Sequence, residues 1–107
     1  MLLKLTTWQR IQLESVVGAQ KGPVATVRKA IKLLDIVELT DAEKAAIGFK
    51  VNDLRFTWKD KDKTWDIDIQ DKNLEMYLLQ VCLAWEYWPI NTEVLDLFEK
   101  LGVDENE

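Results

Sequence analysis

Two alternating runs, Leu54-x-Phe56-x-Trp58 and Trp65-x-Ile67-x-Ile69, flank the charged segment Lys59-Asp60-Lys61-Asp62-Lys63-Thr64. Successive strand residues point to opposite faces, so this spacing predicts a two-stranded antiparallel hairpin over about 53–70. One face would collect six large apolar side chains, and Arg55, Thr57, Asp66 and Asp68 would take the other. A lone two-stranded ribbon with such a face is not stable in water, so it must lie on helices or on a partner. The charged connection is neither a two-residue Asn-Gly turn nor glycine-rich, so its tip is expected to be loose.

Around the ribbon the apolar period is helical. Thr6 and Gln9 have capping-box spacing and open a first helix over roughly Thr7 to Val17, with Gly18 as its stop. Pro23 favours the first turn of a second helix running to about Asp35 or Val37. There Val24, Val27, Ile31 and Leu34 form the expected buried stripe, with Arg28, Lys29 and Lys32 largely outside it. Thr40-Asp41-Ala42-Glu43 is a second capping box, opening a short helix that Gly48 can end. Beyond Asp71, the residues Leu74, Leu78, Val81, Trp85 and Trp88 trace a stripe that Met76, Leu79, Leu83 and Tyr87 broaden, predicting a long apolar helix over about 72–88 that Pro89 ends. Asn91 or Thr92 then caps a short final helix closed by Gly102, followed by an acidic tail over 103–107.

The expected fold is therefore α+β and mainly helical: three N-terminal helices, one hairpin, a long apolar helix and a short C-terminal one. A length of 107 residues and an apolar fraction of 48% suit a single domain with one core, its ordered part spanning about 5–102.

The residue inventory narrows the chemistry. There is no histidine, one cysteine (Cys82) and one serine (Ser15), so Ser/His and Cys/His pairs cannot form and the usual zinc ligand sets are missing. No cofactor is expected, and the chain is read as a non-enzyme. A single cysteine forms no internal disulfide, which fits a reducing, cytoplasmic setting. The N-terminal apolar stretch is too short for a signal sequence, and the longest uncharged run, Met76 to Trp85, is about half of a membrane span, so no membrane partner is expected. Net charge is −5 but uneven: residues 1–34 carry +5 and the remainder −10, which allows a basic and an acidic face on one small body.

Leu39-Thr40-Asp41-Ala42-Glu43-Lys44-Ala45-Ala46-Ile47-Gly48-Phe49, then Trp58 with Trp65-Asp66-Ile67-Asp68-Ile69, then Trp88-Pro89-Ile90-Asn91 before Leu97-Phe98-Glu99-Lys100-Leu101, resemble small uncharacterised proteins encoded by bacteriophages and prophages. The likeness is one of pattern over about residues 5–101. It implies an origin and a scale of protein, and it brings no catalytic or ligand residues with it.

Several constellations compete with ordinary structural roles. Asp60, Asp62, Thr64, Asp66, Asp68 and Asp71 fall on the oxygen-ligand positions of a calcium loop, but Trp65 stands where glycine is needed and Asp71 where bidentate glutamate is usual. Solvated strand and loop carboxylates explain them better, and Asp66 with Asp68 share an outer strand face with nothing to separate their pKa values. Three helices before a hairpin resemble a winged helix, and Lys21, Arg28, Lys29 and Lys32 offer phosphate contacts, yet the third helix opens with Asp41 and Glu43 where base readers need Arg, Asn or Gln. Cys82, within an apolar helix, reads as an inert core thiol. Five tryptophans are many for this length; Trp85, Tyr87 and Trp88 form the candidate patch for a protein partner or a second copy of the chain in a homodimer. The favoured function is thus protein interaction or assembly, with a nucleic-acid-associated regulator using the basic second helix as the alternative.

Overall fold

The computed structural model describes residues 1–102; the acidic tail lies outside the described residues. The elements run β1 (Leu2–Thr6), α1 (Thr7–Gly18), α2 (Val24–Val37), α3 (Asp41–Ile47), β2 (Lys50–Asn52), β3 (Arg55–Thr57), β4 (Thr64–Asp68), α4 (Lys72–Ala84) and α5 (Thr92–Leu101). The fold is α+β and mostly helical, with two separate two-stranded antiparallel ribbons, β1–β4 and β2–β3.

The pairing corrects the hairpin expectation. The two alternating runs do not pair with each other: β4 pairs with β1, from Leu2↔Asp68 to Thr6↔Thr64, and β3 pairs with β2, from Lys50↔Thr57 to Asn52↔Arg55. Two physical preferences account for this. Leu3-Lys4-Leu5 alternates as well, so β1 sets Leu3 and Leu5 beside Ile67 and Ile69 on one aliphatic face while Lys4 sits opposite Asp66 outside. For β3, a two-residue turn at Asp53 and Leu54, both with positive φ (46° and 73°), reverses the chain with the twist antiparallel strands favour. That closure costs less loop entropy than the longer charged segment would. A strand therefore leads the chain, ahead of any helix, in a segment where no element was expected.

Both capping boxes form as the sequence implies. Thr6 accepts from the Gln9 N–H while the Gln9 side chain accepts from the Thr6 N–H, and Thr40 and Glu43 reciprocate in the same way. Gly48 and Gly102 end α3 and α5 in the left-handed region, at φ 67° and 72°.

Two helix expectations change. In α2 the buried residues are Ala30, Leu33 and Val37, whereas Val24, Val27 and Ile31 are exposed. Periodicity fixes that a face is apolar, not how much of it neighbouring elements cover, and the first turns of α2 carry no buried residue. The long apolar helix stops at Ala84, short of Trp88, because Trp85 turns extended (φ −71°, ψ 124°) and the Trp88 indole N–H then donates to the Cys82 carbonyl at 3.1 Å. That side-chain bond satisfies one of the carbonyls a helix end leaves unpaired.

The core joins Leu3, Leu5, Ile67 and Ile69 of the first ribbon to Leu13, Val16 and Val17 of α1, Leu33 and Val37 of α2, Leu74, Leu78 and Val81 of α4, and Leu97 and Leu101 of α5. Full burial of each such aliphatic side chain is worth about 1.5–3 kcal/mol before chain entropy is set against it. Arg10 is enclosed as well, with its Nε donating to the Val37 carbonyl (3.0 Å), Nη2 to the Glu38 carbonyl (2.6 Å) and Nη1 to Glu43 (2.9 Å), and with its guanidinium 5.1 Å from the Trp65 ring centre. One charge thus ties α1 to the α2–α3 connection, to α3 and to β4.

Candidate interaction surface

The segment from the end of α4 to the start of α5 holds the three aromatic residues singled out from the sequence, and it uses them unequally. Trp88 is half-buried, held by its bond to Cys82 and by an edge-on contact with Phe98 of α5, ring centres 5.2 Å apart. Trp85 is half-buried against the core and meets Tyr87 edge-on, also at 5.2 Å. Tyr87 itself is 77% exposed, and Leu83 and Ile90, on either side of it in the chain, are exposed too. The two tryptophans thus form a fixed mount, and Tyr87, Leu83 and Ile90 are what that mount presents to solvent.

Lys21, Arg28, Lys29 and Lys32 are all exposed, and none has an ion-pair partner among the described residues. The structure brings them together on and just before α2, where they stand beside the uncovered Val24, Val27 and Ile31. Arg10, counted with the basic third of the chain, is not part of that face because it is buried.

The remaining sequence candidates take ordinary places. Cys82 is buried, and burial pushes its thiol up to about 12, so it stays protonated and unreactive. Asp66 and Asp68 are exposed on β4, and among the described residues no group of three or more metal-ligating side chains converges. No helix there is long and apolar enough to cross a membrane.

Sequence reasoning missed a cleft of about 120 Å³, open to solvent, between α1, α3 and the β2–β3 hairpin. The buried Ile11 and Leu39 line it together with Phe49 and Phe56, whose rings stack at 5.7 Å, and with the half-buried Glu14 and Lys44. Ile11 and Glu14 are three residues apart on α1, hence on one helix face, and Val51 directly opposes Phe56, so both hairpin residues turn the same way. The available signal was the second alternation, Phe49-x-Val51, which the stronger tryptophan pattern overshadowed.

Compared with known proteins, the chain matches no protein family, no curated protein and no solved structure.

Proposed function

We propose that this chain is a non-enzymatic binding or assembly protein of the phage or prophage kind its sequence resembles. In this reading it acts in the host cytoplasm and engages a protein partner, or a second copy of itself, through the corner between α4 and α5. The observation that carries this reading is the exposed trio Leu83, Tyr87 and Ile90 on a segment anchored by Trp85 and Trp88. Binding hot spots favour tryptophan and tyrosine held in place beforehand, because little side-chain entropy is lost when a partner covers them. Replacing Tyr87 by photo-reactive benzoylphenylalanine tests it, with the same replacement at Asp62 as control. Irradiation in cells that natively express the chain should yield a discrete adduct from position 87, either of doubled mass or with one partner protein. Equal or lower yield than at position 62 would remove the proposal.

A second reading rests on the unpaired Lys21, Arg28, Lys29 and Lys32, which suit a nucleic-acid backbone. A gel-shift titration separates the two. Nucleic-acid binding should weaken steeply as salt rises, whereas no shift at low salt would leave α2 without that role.

A further inference from the structure

We propose that the cleft under the β2–β3 hairpin is a binding site for a small zwitterion with an apolar side group, in chemical class an α-amino acid with an aromatic or branched aliphatic side chain. The site is separate from the corner between α4 and α5, and it stands on three observations. The first is shape: at about 120 Å³ the cleft approaches the roughly 150 Å³ cavity that takes up benzene, so it has room for one ring or branched chain with the polar end left at the open mouth, and the buried Ile11 and Leu39 give it apolar lining. The second is the wall. Phe49 and Phe56 lie nearly parallel, with 24° between their planes, and Phe56 keeps about half its surface uncovered, so a ring or branched chain entering the cleft removes apolar area on both partners from water.

The third observation is the pair of opposite charges in the lining, and it sets the class of ligand. Glu14 on α1 and Lys44 on α3 both line the cleft, half-buried, yet they form no ion pair with each other or with any described residue. Lys44 instead rests with its Nζ 5.5 Å from the Phe49 ring centre. A purely anionic ligand would leave Glu14 facing it, and a purely cationic one would leave Lys44 doing so. A zwitterion satisfies both, its ammonium toward Glu14 and its carboxylate toward Lys44, with the Ser15 hydroxyl at the lip as a further donor or acceptor. The face of Trp58 does not extend the site as a nucleobase platform, because Lys61 already lies over that ring at 4.2 Å.

Four probes sharing a phenethyl skeleton test the assignment on the full ¹⁵N-labelled chain: L-phenylalanine, 3-phenylpropionate, phenylethylamine and 2-phenylethanol. The readouts are the amide signals of Lys44 and Phe56 and the indole signal of Trp58, whose ring centre lies 6.4 Å from that of Phe49. L-phenylalanine should give saturable shifts and the neutral alcohol the weakest ones. Lys44→Met should weaken L-phenylalanine and phenylpropionate about tenfold while sparing phenylethylamine, and Glu14→Gln should weaken L-phenylalanine and phenylethylamine while sparing phenylpropionate, as expected for the loss of one charged contact. The dispersion of each variant's spectrum reports that it is folded. The proposal is overturned if no probe saturates up to about 10 mM, below the affinity of even a weak fragment, or if both variants weaken every probe alike.

Discussion

The two ribbons of this protein have the same plan and opposite fates. Each is a pair of short antiparallel strands with an apolar face, but β1–β4 is sealed, with Leu5 and Ile69 at 0% exposure, whereas β2–β3 leaves Val51 at 60%, Phe56 at 51% and the turn residue Leu54 at 100%. The difference lies in what covers them. The first is roofed by α1, α2, α4 and α5 and supplies part of the core; the second is held chiefly by an aromatic stack of Phe49 with Phe56 and Trp58 and by the Lys59 N–H bonded to the Ile47 carbonyl at 2.8 Å. Strand pairing alone does not stabilise a ribbon; burial of its face does. In consequence one ribbon serves as framework, and the other is left uncovered to form the wall of a cleft.

The sharpest way to test that contrast is to remove one apolar side chain from each ribbon. Leu5→Ala should cost about 3–4 kcal/mol, since it leaves a cavity in a closed core, while Phe56→Ala should cost about 1 kcal/mol or less. Urea unfolding of both variants measures the gap, and equal losses would break the comparison.

Next in size is Arg10, which links the two halves. Arg10→Met should cost about 2–3 kcal/mol by leaving the Val37 and Glu38 carbonyls and the Glu43 carboxylate short of a donor. It should also raise amide exchange in α3 and the hairpin more than in β1–β4.

Acid sharpens the same point. Burial pushes the Glu43 carboxyl upward, but hydrogen bonds from Arg10 and the Thr40 N–H, with the Arg10 charge, outweigh it and hold the carboxyl below its ordinary 4.5. Bonds from Lys100 and Gln9 hold Asp96 below its ordinary value as well, against a smaller effect of burial. A group whose pKa is depressed by folding stabilises the fold fully above its unfolded value and loses that contribution as pH falls through the folded one. Urea midpoints should therefore be level near neutrality and decline below about pH 4.5, and Glu43→Gln should flatten part of that decline.

The smallest expected effect is a gain. Leu54 holds a left-handed conformation with its side chain wholly in solvent, so Leu54→Gly should relieve strain of about 1 kcal/mol and raise protection in the hairpin alone. A loss of stability would show that Leu54 makes contacts this fold does not give it.

Local signals were legible where local chemistry decides the outcome. Thr6 with Gln9, Thr40 with Glu43, and Gly48 and Gly102 mark helix ends because each acts within a single turn. The alternation at Trp65, Ile67 and Ile69 marked a strand for the same reason. Which strand it joins depends on Leu3 and Leu5, sixty or more residues away, and alternation is blind to partner. The Asp53-Leu54 turn was hidden because leucine stands where such a turn prefers glycine. Likewise Val24, Val27 and Ile31 read as core because a period reports a face, whereas cover comes from the rest of the fold. At the corner between α4 and α5 the sequence reads Trp85, Tyr87 and Trp88 as one aromatic patch, but only Tyr87 of the three is exposed, with Leu83 and Ile90 nearby in the chain, because Trp85 packs on the core and Trp88 on Phe98. Of the cleft, the sequence offered only the Phe49-x-Val51 alternation, since the other parts come from α1, α3 and the connection before it.

Native-state amide hydrogen exchange, read residue by residue by NMR, tests the difference between the two ribbons most directly. The β1–β4 ladder, including the Ile69 N–H that donates to the Met1 carbonyl at 2.7 Å, should exchange only through global unfolding, with the β2–β3 amides opening at far lower free energy. Equal protection in both ladders, or protection that pairs β3 with β4, would contradict the account.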